Sequence, residues 1–219
     1  MPIKRYARDY QPISDTDFAT LERLGSALIC DAMGGRQTMD AGIKPISPGT
    51  RLLGQARTVL SRGDNSAAVA ALRLNRPGEV MVIDAGADTA NATWGGVMTA
   101  QAIKRGLAGV VIDGSARDVG EIRDAGFPLF CRAAIPRSPG EPADRSIDAP
   151  IMAGGISVRP GDIVYGDDDG VVVIPLDWLE ATLEAAAAKV ETEKGWLERI
   201  ESGGALADVL DIPDPEIQE

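Results

Sequence analysis

WGGVMTAQAIKRGLAGVVIDGSARDVGE, residues 94–121, is the segment that decides the fold, because it places a helix, an apolar strand and a charged turn in direct succession. The helix is predicted over residues 97–105. It opens on Gly95 and Gly96, and Gly106 follows it as the kind of glycine that commonly ends a helix. The free N–H groups at the start of this helix therefore lie beside backbone that carries no side chains.

Charged residues follow the strand of this segment. The strand is predicted over residues 109–113, and Arg117 and Asp118 stand side by side shortly after it, with Glu121 three positions later. A cation and two anions just past the end of an apolar strand make this turn the first candidate for a functional site.

The flanking residues extend the same pattern. Residues 80–84 predict a buried strand before the helix, and residues 117–126 and 127–133 predict a short helix and a third strand after it. The order strand, helix, strand, helix, strand is typical of a parallel sheet with right-handed crossovers. The sequence therefore predicts an α/β fold.

No interdomain linker is predicted in the rest of the chain, so residues 1–219 are expected to form a single domain. An extended N-terminal arm (1–15) is predicted to lead into a helix from Asp15 or Thr16 to about Gly25, which continues helically through residues 26–35. A strand (55–60) and a helix (65–75) are predicted before the central segment, and an exposed loop (137–151) and a strand pair (158–175) after it. The last predicted element is a long C-terminal helix (176–204) with a possible break at Gly195.

Composition excludes several function classes. The net charge of −11 repels phosphate backbones, so we expect no nucleic-acid partner. The chain contains no histidine, which removes Ser-His-Asp and Cys-His catalysis and imidazole metal ligands. Cys30 and Cys131 form no CxxC pattern, so a thiolate zinc site is not expected. Neither a signal core nor a membrane-spanning run occurs, and we expect a cytoplasmic protein without a membrane partner.

Two strand ends and one helix start are expected to meet in a single cleft. Ligands of open α/β sheets bind at the carboxyl ends of the strands, which here are Asp84 and Asp113. The helix start at Gly96 attracts anions, Arg117 can bind a carboxylate in bidentate fashion, and Asp118 is a hard oxygen ligand suited to Mg²⁺ or Mn²⁺.

The spacing leaves simpler interpretations open. Asp118 and Glu121, three residues apart on a helix, can hold a cation, but Arg117 and Glu121 can equally form an ordinary ion pair. The two glycines at 95 and 96 can serve a tight loop alone. Residues 167–169, three aspartates before a glycine, are interpreted as a hairpin turn. Asp31 can be a cap, a buried hydrogen-bonding group or a site residue.

The turn resembles a family signature. Gly96, twenty residues, and then Arg117-Asp118-x-x-Glu121 are similar to the signature of the class II pyruvate aldolases that act on 4-hydroxy-4-methyl-2-oxoglutarate or 4-carboxy-4-hydroxy-2-oxoadipate, whose superfamily also contains the RraA-like regulators of ribonuclease activity. The resemblance covers roughly residues 20–200. Further stretches that carry it are CDAMGG, GIKPISPGTRLLGQARTV, PGEVMVIDAG, GLAGVVIDGSARD and VRPGDIVYGDDDGVVVIP.

The resemblance implies a swivelling β/β/α sandwich related to the phosphohistidine domain, assembled as a homotrimer or a hexamer with its active site at a subunit interface. It implies that Asp118 ligates a divalent cation, that Arg117 binds the 2-oxo acid and polarises its carbonyl, and that Glu121 supports them. The substrate carboxylate is then held by the backbone at the helix start, at Gly95, Gly96, Val97 and Met98.

The sequence also departs from the family pattern. Many members carry an acidic residue where this chain has Gly96, so the water shell of the metal or the substrate preference is expected to differ. Some members use an acidic residue from the C-terminal region of a neighbouring subunit, for which Glu191 and Glu193 are candidates.

The predicted function is a Mg²⁺- or Mn²⁺-dependent lyase that cleaves a 4-hydroxy-2-oxo acid to pyruvate, with oxaloacetate decarboxylation as a side activity. One alternative is a non-catalytic RraA-like regulator that binds a protein partner such as a ribonuclease. Another is a related lyase or dehydratase acting on a sugar-derived acid.

Overall fold

Nine strands of the described part of the chain form one mixed sheet in this computed structural model, which describes residues 2–141 and 143–216. Two further strands form a separate small sheet. The strands are β1 (Lys4–Arg5), β2 (Lys44–Pro45), β3 (Leu52–Ser61), β4 (Val80–Trp94), β5 (Gly109–Ala116), β6 (Leu129–Ala134), β7 (Arg145–Ile147), β8 (Ile151–Ala153), β9 (Ile156–Val158), β10 (Ile163–Asp167) and β11 (Gly170–Ile174).

Helices pack on one face of the central strands and against the β10–β11 hairpin, whereas the other face of the central strands is covered by further strands. The helices are α1 (Asp15–Leu21), α2 (Ser26–Ala32), α3 (Ser66–Ala71), α4 (Gly96–Lys104), α5 (Val119–Asp124), α6 (Leu179–Glu201) and α7 (Leu206–Val209). The main path of the sheet runs β1-β7-β3-β4-β5-β6-β2, and β10 pairs with both β3 and β11. The predicted α/β class is therefore confirmed as a mixed α/β fold with a central sheet.

The centre of the sheet is parallel, as the sequence predicts. The neighbouring pairs β3–β4, β4–β5 and β5–β6 are all parallel, with α4 crossing between β4 and β5 and α5 crossing between β5 and β6. The chain leaves α4 through Gly106, whose φ of +70° is the left-handed conformation expected of a helix-ending glycine. This arrangement brings the ends of β4 and β5 together.

Alternating side chains of the central strands serve two separate cores. Ile83 and Ile112 pack into the cluster that includes residues of α3 and α4, whereas Val82 and Val111 pack into a cluster on the other face of the sheet. Both sets are fully buried, as expected for strands covered on both faces. A third cluster places α2 and α6 against the β10–β11 hairpin.

Strands β4 and β5 extend beyond their predicted ends. The predicted strands stop at Asp84 and Asp113, but β4 continues to Trp94 through several register shifts and β5 continues to Ala116. The bulges let β4 keep pairing with β5 while it bends. The strand ends that matter for a site are therefore those at Trp94 and Ala116.

The N-terminal helical prediction is wrong in one respect. The predicted continuous helix is broken between α1 and α2, because Gly25 is extended and the Asp167 carboxylate accepts hydrogen bonds from the Ser26 N–H and hydroxyl, which starts a new helix. Ser14 rather than Asp15 or Thr16 caps the first helix. A capping partner 141 residues away cannot be seen in local sequence.

The arm and the predicted loop at 137–151 pair with each other in part. β1 is parallel to β7, and β7 is also antiparallel to β3, so a piece of the predicted loop is a strand of the central sheet. Its three residues are too few for a recognisable alternating pattern. The hairpin of β10 and β11 confirms the predicted strand pair, with Asp167 and Gly170 flanking its turn.

The C-terminal helix is continuous. A 3₁₀ turn at Leu176–Trp178 leads into the 23 residues of α6, which pass through Gly195 without a break. A glycine inside a helix costs only about 1 kcal/mol relative to alanine, and the surrounding residues are strong helix formers. No helix in the described residues is long and apolar enough to cross a membrane.

Candidate active site

A cavity of about 220 Å³ lies where β4 and β5 end, beside the start of α4. The turn before α5 and the loop after β6 close its sides. Its lining residues are Asn65, Val69, Ala92, Trp94, Gly95, Val97, Met98, Arg117, Asp118 and Pro139. The cavity thus brings Gly95, Val97, Met98, Arg117 and Asp118 together, as the sequence predicts.

The two glycines before α4 make room for two carboxylates. A Cβ on Gly95 would lie 2.7 Å from Asp118 Oδ2, and a Cβ on Gly96 would lie 2.7 Å from Glu121 Oε2. Both distances are shorter than any ordinary carbon–oxygen contact. Glycine at 95 and 96 therefore serves the close approach of Asp118 and Glu121, and not only a tight loop.

Asp118 is held in a defined position by backbone. It is the N-cap residue of α5 in the left-handed conformation, with φ of 59°, which aspartate tolerates better than most residues. Its Oδ2 accepts a hydrogen bond of 3.0 Å from the Gly96 N–H, and no described residue donates to its Oδ1. The carboxylate therefore bridges to α4 and keeps one oxygen available.

Arg117 lies against Asp118 and a serine that sequence reasoning missed. Its Nε is 3.7 Å from Asp118 Oδ2, and its Nη1 donates a 2.9 Å hydrogen bond to Ser138 Oγ. Among the described residues, Arg117 forms no ion pair with Glu121, so that simpler interpretation is wrong. Ser138 lies on the loop after β6, and no local motif singles it out.

The first turn of α4 is fixed from inside the protein. The Trp94 indole N–H donates to Thr99 Oγ1 at 2.8 Å, and the Thr99 hydroxyl donates to the Gly95 carbonyl at 3.2 Å. The N–H groups of Val97 and Met98, as first-turn groups, have no acceptor within their own helix. The helix start therefore offers rigid donors at the cavity.

The available donors fit a magnesium or manganese ion. In the described residues no cluster of three or more His, Cys, Asp or Glu side chains is suited to a metal. Mg²⁺ usually binds proteins through one or two carboxylates and keeps several waters. Asp118, with Glu121 near it, supplies this number of hard oxygen ligands.

Asp84 and Asp113 do not join this cavity. Arg62 Nη2 donates to Asp84 Oδ2 at 2.9 Å, and Arg132 forms a close ion pair with Asp113. The two strand positions just before them, 83 and 112, face the core that contains α4, so the aspartates face the other side of the sheet. The expected convergence of both aspartates on the site is therefore wrong.

Other singled-out residues also lie elsewhere. Asp31 forms a 3.1 Å salt bridge with Lys189 on the outside of the molecule. Cys131 is buried, and burial raises the pKa of its thiol to about 11, which makes it an inert part of the core. Glu191 and Glu193 lie on α6 and do not line the cavity of their own chain.

Comparison with known proteins identifies the family of the chain. The model of the RraA-like family, described as Aldolase/RraA, matches residues 26–173, which include the whole cavity. The chain belongs to the Aldolase/RraA family. The predicted resemblance is thereby confirmed.

Two relatives of this Aldolase/RraA chain are named as aldolases. A Halalkalibacterium halodurans protein, provisionally named a 4-hydroxy-4-methyl-2-oxoglutarate aldolase, is 37% identical over 178 residues, covering 80% of this chain and 85% of the relative. The 4-hydroxy-4-methyl-2-oxoglutarate aldolase of Thermus thermophilus is 30% identical over 162 residues, covering 73% and 91%.

A similar solved structure is named as an RraA protein. Streptomyces coelicolor RraAS2, described as an unusual member of the RNase ES inhibitor RraA protein family, superimposes with a TM-score of 0.78 at 28% identity. The match covers 86% of this chain and 100% of that one. At the level of the Aldolase/RraA family, the named relatives support an aldolase-type lyase.

Proposed function

We propose that this protein is a divalent-metal-dependent lyase that cleaves a 4-hydroxy-2-oxo acid to pyruvate and decarboxylates oxaloacetate as a side activity. The observation that carries the proposal is the placement of Arg117 and Asp118 against the rigid first turn of α4, in one open cavity. The guanidinium and the backbone N–H groups suit the negative charge of a 2-oxo acid, and the carboxylate suits a metal cation bound with it.

The substrate carboxylate is assigned to the start of α4. The Gly96 N–H already donates to Asp118, so the N–H groups of Val97 and Met98 and the positive end of the helix are the groups that attract an anion, and a carboxylate there also lies within the cavity that Arg117 lines. The side chain of Arg117 is 40% exposed, so its guanidinium is accessible to a ligand. Arg117 donates to the 2-oxo acid and holds positive charge beside its carbonyl.

Asp118 is the residue proposed to hold Mg²⁺ or Mn²⁺, and Glu121 supports it through the water shell. When bound, such a cation is a Lewis acid that stabilises negative charge on a carbonyl oxygen. Many members of the family carry an acidic side chain at the position of Gly96. The water shell of the cation would therefore contact one carboxylate fewer in this protein.

The chain's own residues then stabilise a developing enolate. Retro-aldol cleavage breaks the C3–C4 bond: the 4-hydroxyl loses its proton to a water and becomes a carbonyl, the electron pair of the broken bond moves to C3, and the enolate then takes up a proton at C3 to give pyruvate. Arg117 stabilises the resulting negative charge at the 2-oxo position. Oxaloacetate loses CO₂ through the same enolate, which then takes a proton at C3 to give pyruvate.

Further parts of the proposal concern organisation. Residues 1–219 are proposed to form one domain with the swivelling β/β/α sandwich architecture, assembled as a homotrimer or hexamer with its site at a subunit interface. The absence of a nucleic-acid partner and the cytoplasmic location stay predictions.

One second candidate has a specific observation in its favour. The likeness to RraAS2 supports a regulator that binds a ribonuclease without catalysis. The two candidates differ in whether Asp118 is needed for a chemical reaction.

The test is pyruvate release from oxaloacetate, followed with a coupled dehydrogenase in Mg²⁺ and in EDTA. We expect metal-dependent release, its loss in Asp118→Ala, and a decrease of roughly 100-fold or more in Arg117→Ala. Asp124→Ala, an exposed carboxylate on the same short helix, is the matched control and should keep the wild-type rate. Wild-type rates in folded Asp118→Ala would reject the assignment, and no release by the wild type would favour the regulator or a different substrate.

A further inference from the structure

The N-terminal arm is bound to the core as an edge strand of the sheet. β1 lies parallel to β7, and the Tyr6 N–H donates to the Ile147 carbonyl at 3.0 Å. Strand β7 has only three residues, and its other neighbour is β3. The arm is therefore one of the two chain segments that hold β7 in the sheet.

A buried group of charges next to β7 is balanced only when the arm is docked. Arg57 of β3 is fully buried and donates to both Glu79 and Asp148, at 3.0 and 2.9 Å, and both carboxylates are buried as well. One guanidinium therefore faces two carboxylates. Arg8 of the arm supplies the second cation, because it forms a close ion pair with Glu79 and its Nε lies 3.8 Å from Asp148 Oδ2. Arg5 also approaches Asp148 at 3.8 Å, but its side chain is largely exposed, and exposed ion pairs contribute little.

The rest of the arm fits the core by shape and by hydrogen bonds. The ring of Tyr10 packs on Gly161, where a Cβ would lie 2.5 Å from the ring Cγ. The Gln55 side chain of β3 donates to the Gln11 carbonyl at 3.1 Å and accepts from the Ile13 N–H at 3.2 Å. The arm is thus docked in one defined position.

The chain on the other side of β7 leads to the candidate active site. In the loop between β6 and β7, the Gly140 N–H donates to the Gly63 carbonyl at 2.8 Å, just after β3. Pro139 lines the cavity, and the Ser138 hydroxyl accepts from Arg117 Nη1 at 2.9 Å. Strand β7 therefore anchors one end of the loop that contacts Arg117.

Resting on the proposed function, we propose that Arg8 is a positioning residue for the active site and that the arm is a strap that orders it. Docking of the arm through Arg8 fixes β7, β7 fixes the loop after β6, and this loop holds Ser138 against Arg117. Arg8 itself does not line the cavity. It acts on substrate binding through the order of the Arg117 guanidinium.

Hydrogen exchange followed by mass spectrometry tests the strap without any substrate. Breaking a buried ion pair on one side leaves an uncompensated charge, so in Arg8→Gln the amides of β7 and of the loop between β6 and β7 should exchange roughly tenfold or more faster. Amides of β6, near the opposite edge of the sheet, should exchange as in the wild type. Lys4→Gln, which removes an exposed cation from the same arm, is the matched control. Tyr10→Phe, which removes only the hydroxyl that donates to Glu79, is the milder variant should Arg8→Gln fail to fold.

Steady-state kinetics with oxaloacetate tests the positioning role. Arg8→Gln should increase KM several-fold with a smaller change in kcat, and Arg8→Lys, which keeps the cation, should restore most of the wild-type KM. In the Ser138→Ala protein, Arg8→Gln should cause no further increase in KM, because both changes act on the same contact of Arg117.

The outcomes separate this inference from the lyase activity. Unchanged exchange in β7 and the loop of folded Arg8→Gln, or an equal acceleration in β6, would overturn the strap. Faster exchange in the loop with an unchanged KM, or fully additive increases in KM in the double variant, would overturn the positioning role. If the wild type releases no pyruvate, the lyase activity is rejected, and the exchange rates of the loop then decide the role of the arm alone.

Discussion

Gly95 and Gly96 show how a site can depend on side chains that are missing. Asp118 can accept a hydrogen bond from the Gly96 N–H only because nothing projects from these two residues. Arg117 is placed in the same way, since its Cγ would lie 3.1 Å from a Cβ on Gly95. At the scale of single residues, the position of the charged pair is therefore set by the backbone opposite it.

Gly95→Ala tests this dependence. The added methyl group would displace both Asp118 and Arg117, and we expect kcat/KM for pyruvate release to decrease by at least about tenfold while the protein stays folded. Gly120→Ala is the matched control, because its added Cβ would meet no atom within 4 Å apart from its chain neighbours and the backbone of its own helix. It should keep activity and increase stability by about 0.5–1 kcal/mol, since glycine is the poorer helix former. Full activity in Gly95→Ala would contradict the account.

Ser138→Ala addresses the positioning of Arg117. The serine hydroxyl accepts from Arg117 Nη1, and its loss should leave the guanidinium less ordered and increase KM several-fold with a smaller change in kcat. Ser138→Thr keeps a hydroxyl and should restore KM. Steady-state kinetics with oxaloacetate distinguishes these results, and equal KM values in all three proteins would remove Ser138 from the site.

The start of β4 carries a buried charge network that ties three elements together. Arg57 of β3 donates to Glu79 at 3.0 Å and to Asp148 at 2.9 Å, and Arg8 of the N-terminal arm forms a close ion pair with Glu79. Burial alone would raise the pKa of Glu79, but the Arg76 amide and the two guanidinium groups outweigh it and hold that pKa below its usual value. Burial raises the pKa of Asp148.

Glu79→Gln should change how stability depends on pH. A carboxyl whose pKa is lowered by folding adds stability above its unfolded pKa and loses it as pH falls through the folded value. We expect the variant to lose about 3 kcal/mol at pH 7, with the difference shrinking below about pH 4.5. Denaturant unfolding across pH measures this difference, with the exposed Glu184→Gln as control. A difference that stays constant down to acid pH would contradict the network.

The same elements show what sequence can and cannot predict. The glycine-opened helix, the apolar strand and the Arg117-Asp118 turn follow one another within 28 residues, so periodicity and spacing predict them and their common place at one edge of the sheet. Ser138, the Asp167 cap of α2 and the extension of β4 to Trp94 depend on partners far along the chain. No local pattern encodes such contacts, because tertiary packing determines them.

Across the whole molecule, apolar residues remain uncovered at the C-terminal end. Leu197 of α6, Leu206 of α7 and Ile212 are each more than half exposed in the single chain. Such a group of exposed apolar side chains is unfavourable in water unless another surface covers it. This is consistent with the proposed assembly of several chains.

Light scattering tests the proposed assembly. The mass in solution should be three or six times the 23.0 kDa of one chain. Leu197→Lys should lower that mass, because burying an ammonium group in an apolar interface is unfavourable. The exposed Glu201→Lys is a control with the same introduced group. A monomeric wild type would contradict the proposed interface site.

The central claim, that Asp118 and Arg117 stabilise a pyruvate enolate together with a divalent cation, is tested most directly by exchange of the pyruvate methyl protons in D₂O, followed by proton NMR. The account predicts exchange by the wild type in Mg²⁺ or Mn²⁺, its loss in EDTA, and rates decreased by roughly 100-fold or more in Asp118→Ala and Arg117→Ala. Exchange that persists in EDTA, or that proceeds at the wild-type rate in folded Asp118→Ala, would contradict it.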